Sequence, residues 1–334
     1  LDQSWQITKS SKKDLCGGSQ GLSYFFSRAL QGALGKDLPI GMVNVGAILP
    51  VETWVGPEEV EARPELHHLK DRGYPHATSR GYLSNIAPLA PFAARGVIYY
   101  QGEMNAGRSS DTYHGLKGLV ASWRQAWGRA DLPFYVVQLP GFIEHRNQQK
   151  HTLDMDAKSV AEAGGLNEQH SWPYTREAQL RVAEEDPNVE LIVTIDLGDK
   201  FDIHPRRKLP VSERLALKAR KHVYCEKELV ADAPMPTTYK EEMGGFRITF
   251  DGIGKGLVAK EALAGFELQT KDGDWQAAQA AIDGKELVVT GAAGQTYTGV
   301  RYAWRGFPEV TLTNSAGLPA TPFIHPRTEL QNNK

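Results

Sequence analysis

The chain has 334 residues, a formal net charge of −2, 41% apolar and 23% charged residues, which is close to the average for a globular protein. This balance carries no sign of a nucleic-acid or anionic-membrane partner, and no apolar run approaches the roughly 18 residues a membrane span needs. The two cysteines, Cys16 and Cys225, are too few and too far apart for a disulfide framework or a metal cluster, and are expected as buried or half-buried thiols.

In chain order, residues 19–34 predict a helix, with Leu22, Phe25, Phe26, Ala29, Leu30 and Ala33 at spacings of three and four. The continuous apolar run Pro39–Gly46 predicts a buried strand, and 95–100 predicts a second. A helix over 111–128, a strand over Leu132–Leu139, a helix over 174–186, a strand over Val189–Asp196 and a helix over 210–224 complete the pattern. Strands alternating with helices imply a parallel sheet covered on both faces. Beyond about residue 226 the texture changes to short alternating segments, such as Phe246–Phe250. Frequent turn signals accompany them, at Gly244-Gly245, Asp251-Gly252, Asp272-Gly273 and Asp283-Gly284. The expected organisation is an α/β/α domain over residues 1–227 and an antiparallel β-sandwich over 228–334. The opening residues are not a signal peptide, and a chain that starts without Met reads as processed or trimmed.

Ligands of parallel sheets bind at the carboxyl ends of the strands, which selects the loops after Gly46, Tyr100 and Asp196. Gln101-Gly102-Glu103-Met104-Asn105 offers an amide that can donate to a developing oxyanion and a carboxylate that can orient a histidine; the alternative is a merely polar turn. Asp199, Asp202 and His204 share the third loop, where a carboxylate can set the tautomer of a general base; the alternative is a surface histidine in an acidic loop. Gly17-Gly18-Ser19-Gln20-Gly21 fits a nucleophile elbow in spacing, but it lacks the strand the elbow needs, and Ser19 reads better as a helix cap. His67, His68 and His76 have no metal-ligand spacing, and neither a metal nor a cofactor is expected.

Together these segments resemble the sialate O-acetylesterase family, a branch of the SGNH hydrolases, from about residue 19 to 325. GVIYYQGEMNA (96–106), SWRQAWGRADLPFYVVQL (122–139), TREAQ (175–179), DLGDKFDIHPRRKLPVSERLAL (196–217), RYAW (301–304) and GLPATPF (317–323) carry the likeness in order. The resemblance implies an SGNH hydrolase-like three-layer fold and a serine esterase that removes acetyl groups from sugars, sialic acids or plant-cell-wall glycans, in an extracellular or periplasmic setting. His204 would be the general base, Asn105 and Gly46 oxyanion donors and Gln101 a substrate contact. The acid is either Glu103 or Asp202, with Glu103 favoured. Trp54 and Trp172 could stack on sugar faces, whereas Trp123 has the spacing of helix core.

The family's nucleophile lies in a G-Q-S-N-M block ahead of the helix at 19–34. This chain has no such block, and its loop Ala47–Trp54 lacks the family's Gly pair. The strand of that block would lie inside the sheet, and unpaired groups there cost about 1–3 kcal/mol each. The expectation is therefore either an N-terminal fragment or subunit that brings the serine, or a carbohydrate-binding homologue without catalysis.

Overall fold

The computed structural model describes residues 21–145, 166–167 and 171–332. Helix α1 (Gly21–Leu34) is followed by the short α2 (Pro57–Ala62), β1 (Val97–Tyr99), α3 (Ser109–Trp127) and β2 (Phe134–Val137). Next come the two-residue strands β3 (Glu144–His145) and β4 (Leu166–Asn167), then α4 (Ser171–Glu185), β5 (Val189–Ile192) and α5 (Lys208–His222). Helix α3 stops where Gly128 takes φ 62°, a left-handed turn that lets its N–H close on the last carbonyls.

Strands β1, β2 and β5 form a parallel sheet in that order, with Ile98 beside Tyr135 and Val136 beside Leu191. All four residues of β2 are buried, and the pleat divides them. Phe134 and Val136 pack with Leu116, Leu119 and Trp123 of α3 and Leu180 of α4. Tyr135 and Val137 pack with Phe26 and Leu30 of α1 and Leu215 and Ala219 of α5. The sheet is thus sandwiched between two helical layers, as the alternating pattern predicts.

One expected strand does not form. Residues 39–46 make no ladder; Ile40 and Met42 lean on the α1–α5 layer, Asn44 accepts a hydrogen bond from Ser23, and Val43 stays 48% exposed. The physical reason lies beside it. Among the described residues nothing pairs with the outer side of β1, so the run has no neighbouring strand to join. Val97 donates to Pro133 on the β2 side, which turns the N–H and C=O of Ile98 outward, away from the sheet.

The remaining elements are antiparallel: β6 (Met235–Glu242), β7 (Gly245–Asp251), β8 (Leu257–Ala259), β9 (Phe266–Thr270), β10 (Trp275–Ala277), β11 (Gln279–Asp283), β12 (Glu286–Thr290), β13 (Tyr297–Tyr302), β14 (Leu312–Asn314) and β15 (Phe323–His325). The sheets β10-β9-β13-β15 and β11-β12-β7-β6 face one another across a core of Phe246, Ile248, Leu268, Leu287, Val300, Tyr302 and Phe323. The glycines of all four turn signals have positive φ: Gly244, Gly273 and Gly284 in the β6–β7, β9–β10 and β11–β12 hairpins, and Gly252 in the turn that leaves β7. No described helix is long and apolar enough to cross a membrane.

Candidate active site

The carboxyl ends of β1, β2 and β5 lead into three loops that meet at one edge. After β2, Gly141 presses against the loop after β5 so closely that a Cβ on Gly198 would lie 1.9 Å from the Gly141 carbonyl oxygen. Asp196, four residues beyond β5, holds Arg214 of α5 in a two-pronged ion pair, both contacts at 2.7 Å. These contacts fix the base of the 196–204 loop.

Within that loop Asp199 accepts the N–H groups of Phe201 and Asp202 at 2.9 and 3.0 Å. Asp202 in turn accepts the backbone N–H of His204 at 2.8 Å. Its carboxylate therefore shapes the turn and is spent on the main chain of His204 rather than on the imidazole. The His204 ring is exposed at the rim.

Glu103 stands in a single 3-10 turn directly after β1. Its carboxylate accepts the Gly102 N–H at 3.0 Å. Burial pushes its proton affinity up, while N–H groups of the turn, His204 and Lys208 pull it back down. Lys208, the first residue of α5, places its ammonium 4.9 Å from the centre of the Tyr100 ring; burial lowers its proton affinity, and Glu103 and Asp202 oppose that. The structure thus brings Glu103, His204, Asp202, Tyr100 and Lys208 together.

The amides of the same block are turned inward. Asn105 is fully buried; its oxygen accepts from the Val51 N–H at 2.8 Å and from Gln101 at 3.0 Å, and its nitrogen donates to Glu52 at 3.1 Å. These bonds clamp the 49–54 loop to the 101–105 loop. Gln101 is likewise held, accepting from the Tyr99 hydroxyl at 2.7 Å while its own nitrogen serves Asn105. Gly46 is exposed, and its N–H donates to no partner among the described residues.

Behind Asn105, the fully buried carboxylate of Glu52 is matched by Arg72 at 2.8 Å and Arg108 at 3.0 Å. Arg108 continues to Asp111 at 2.8 Å, and Asp111 to His68 at 3.1 Å. Sequence reading missed this network because its bonded partners lie up to 56 residues apart. It missed Lys208 although the lysine follows His204 by only four positions, because a lysine in a basic run signals nothing by itself.

Trp54 and Trp172 differ from expectation, whereas Trp123 is the core residue its spacing predicts. Trp54 and Trp172 are 6% and 5% exposed, and Trp172 donates to the Pro140 carbonyl, so neither offers a face to a sugar; Trp123 is buried as core and donates to the Trp54 carbonyl. Cys225 is a free, exposed thiol in a turn at φ 60°, not a buried one; Cys16 and Ser19 lie outside the described residues. One group of described residues, Glu190, His222 and Asp232, has metal-like geometry. Its carboxylates are already taken by Lys218, at 2.6 and 2.5 Å, and by Lys221, so the donor set is neutralised and suits a salt-bridge network better than a cation.

Comparison with known proteins gives this geometry a family. Residues 20–206 match the model of the carbohydrate esterases described as sialic acid-specific acetylesterase. The chain belongs to that family. Sialate O-acetylesterases of Homo sapiens and Pongo abelii are each 26% identical to it, over 90% of this chain. A solved carbohydrate acetylesterase from Xanthomonas citri is 30% identical, with a TM-score of 0.75, and covers 93% of this chain and 65% of its own. The chain spans about 60% of the length of the curated relatives it matches. The family match ends just past His204, while the relatives match nearly the whole chain.

Proposed function

We propose that this member of the sialic acid-specific acetylesterase family acts as a carbohydrate O-acetylesterase on the SGNH-hydrolase plan. The observation that carries the reading is a half-buried, N–H-anchored Glu103 at the carboxyl edge of the parallel sheet, close enough to His204 for the histidine to help lower its proton affinity. In this reading a serine oxygen attacks the acetyl carbonyl as the His204 ring takes its proton. His204 returns that proton to the departing sugar oxygen, and water then releases acetate from the acyl-serine through the same base. Glu103 stabilises the imidazolium that forms at each step, and Asp202 keeps the His204 turn in shape. The free Gly46 N–H is the oxyanion donor this chain offers.

The nucleophile is assigned to a strand that pairs with the outer side of β1, between β1 and residues 39–46, and ends at the same edge. Such a strand satisfies the outward groups of Ile98 and gives the Pro39–Gly46 run its missing neighbour. A second reading, a carbohydrate-binding homologue without turnover, is favoured by one observation: among the described residues no serine hydroxyl is hydrogen-bonded to the His204 ring.

Hydrolysis of p-nitrophenyl acetate by this chain, with His204→Ala beside it, separates the two. Turnover lost in His204→Ala supports the esterase. Binding of an acetylated glycan with no His204-dependent turnover, in a sample whose intact mass is a single 36.9 kDa species, supports the binding protein.

A further inference from the structure

Helix α3 starts without a cap of its own: Arg108, which precedes it, offers no side-chain acceptor to its first N–H groups. The N–H groups at the start of a helix need acceptors from outside it. Here they come from residues 327–332, which follow β15. The Gln331 carbonyl accepts from the Ser109 and Ser110 N–H groups at 2.9 and 3.4 Å, and the Asn332 side-chain oxygen accepts from the Asp111 N–H at 3.1 Å. On the way the same stretch is tied to α4, where Arg327 pairs with Glu184 and Arg181 donates to the Thr328 carbonyl. Residues 327–332 thus form a strap from the β-sandwich to the amino end of α3.

The strap reaches beyond the helix. The Asn332 amide nitrogen donates to the Asp111 carboxylate at 2.6 Å. Asp111 is buried, and its other oxygen accepts from Arg108 at 2.8 Å. Arg108 donates on to the fully buried Glu52 at 3.0 Å, and Glu52 accepts from the Asn105 amide at 3.1 Å. A continuous line of hydrogen bonds, Asn332–Asp111–Arg108–Glu52–Asn105, therefore joins the strap to the turn that carries Glu103. The main chain makes a parallel link. The Arg108 N–H donates to the Asn105 carbonyl at 2.8 Å, the Asn105 N–H to the Gly102 carbonyl at 3.0 Å, and the Gly102 N–H holds the Glu103 carboxylate.

We propose that Asn332 is a positioning residue: through Asp111, Arg108 and Glu52 it sets the Asn105 side chain, and with it the turn from which Glu103 projects. In a largely buried polar line each member fixes the next, so a carboxylate that loses one donor turns toward those that remain and its neighbours follow. For Asp111 those remaining partners are Arg108 and His68. The inference rests on the esterase reading for its consequence in catalysis but not for its geometry. It gives the β-sandwich a second route to the candidate site, from the side of β1.

Asn332→Asp separates this line from the helix cap. Aspartate keeps the oxygen that accepts the Asp111 N–H, but it replaces the donor to the Asp111 carboxylate by a second carboxylate. Asn332 is exposed, so the substitution leaves the core intact. Hydrogen exchange in the full chain is read at the Val51 N–H, which donates to the Asn105 side chain. The nitrogen NMR signal of the Asn105 amide, assigned through its own backbone, is followed beside it. The expected result in Asn332→Asp is exchange about tenfold faster at Val51 and a displaced Asn105 signal, with the amides of β2 unchanged. Val51 exchange and an Asn105 signal both unchanged in Asn332→Asp overturn the proposal and leave the strap a helix cap. In a preparation that hydrolyses p-nitrophenyl acetate, kcat should fall about fivefold with KM little changed. If Val51 and Asn105 respond while kcat does not, Asn332 still sets the turn, and it is the catalytic role of Glu103 in the esterase reading that fails.

Discussion

The two flanks of the candidate site are built differently. On the β2–β5 flank the loops are locked to the β-sandwich. Arg176 of α4, fully buried, donates to the carbonyls of Leu139, Pro140, Arg305 and Gly306 at 2.7 to 2.9 Å, and the Phe142 N–H meets the Gly306 carbonyl at 2.9 Å. On the β1 flank the backbone of Ile98 faces outward, residues 39–46 run unpaired, and Ile48 is 80% exposed. The contrast teaches that the 196–204 loop is braced through the β2 loop by the sandwich, whereas the Glu103 side of the site borders a sheet edge that no described strand pairs with.

The locked flank gives the largest predicted effects. No carboxylate faces Arg176; burial brings its pKa down to about 9, and its charge is shared among carbonyl oxygens alone. Arg176→Ala leaves those buried acceptors unmatched and should cost about 3–5 kcal/mol in urea unfolding. A loss below about 1 kcal/mol would show that the sandwich does not brace the site. Removing Glu52 should cost about 3–4 kcal/mol, since Arg72, Arg108 and the Asn105 amide all turn to it; Glu52→Ala measured in the same way tests whether the β1 flank also has a hard core behind its open edge. Gly198→Ala should cost about 1–3 kcal/mol, because its Cβ would meet the Gly141 main chain rather than a side chain that can swing aside.

What the sequence discloses follows the same division. The run Phe134–Val137 and the run Pro39–Gly46 look alike as apolar segments, yet only the first is a strand. A continuous apolar run reports burial on both faces, and burial needs neighbours; β2 has β1 and β5, and residues 39–46 have no paired strand among the described residues. The turn glycines are legible because positive φ is a property of the residue itself. Asn105 and Asp202 are visible as polar groups at strand ends, but not the direction of their hydrogen bonds. The first depends on Glu52, 53 positions away, and the second on a turn in which a carboxylate two residues before the histidine reaches its N–H instead of its ring.

Glu103 provides a smaller, pH-dependent test. Burial raises its proton affinity in the folded state above the ordinary value of 4.5. Below that value both folded and unfolded chains hold the proton, and the group costs nothing. As pH rises through it the unfolded chain ionises first, so stability falls until the folded carboxyl ionises too, and stays lower beyond that point. Glu103→Gln, which can still accept the Gly102 N–H, should therefore gain about 1 kcal/mol at pH 7 and nothing near pH 4. Thermal unfolding at the two pH values measures the difference; an equal effect at both would mean that the carboxyl is not held as a buried charge.

The smallest effect on stability should come from the open edge, and it sharpens the comparison most. Ile48 is exposed and anchors nothing, so Ile48→Lys should change the stability of this chain by less than about 0.5 kcal/mol. A strand seated between β1 and residues 39–46, however, would bring its own apolar side chains to this surface, where a lysine opposes their burial. The measurement is the binding of an apolar, serine-ended strand peptide, followed by mass and by hydrogen exchange at Ile98. Wild-type chain should retain the peptide and protect that amide; Ile48→Lys should do so less, with an unchanged melting curve. If both chains bind equally, or neither protects Ile98, the β1 edge is not a seat for a further strand.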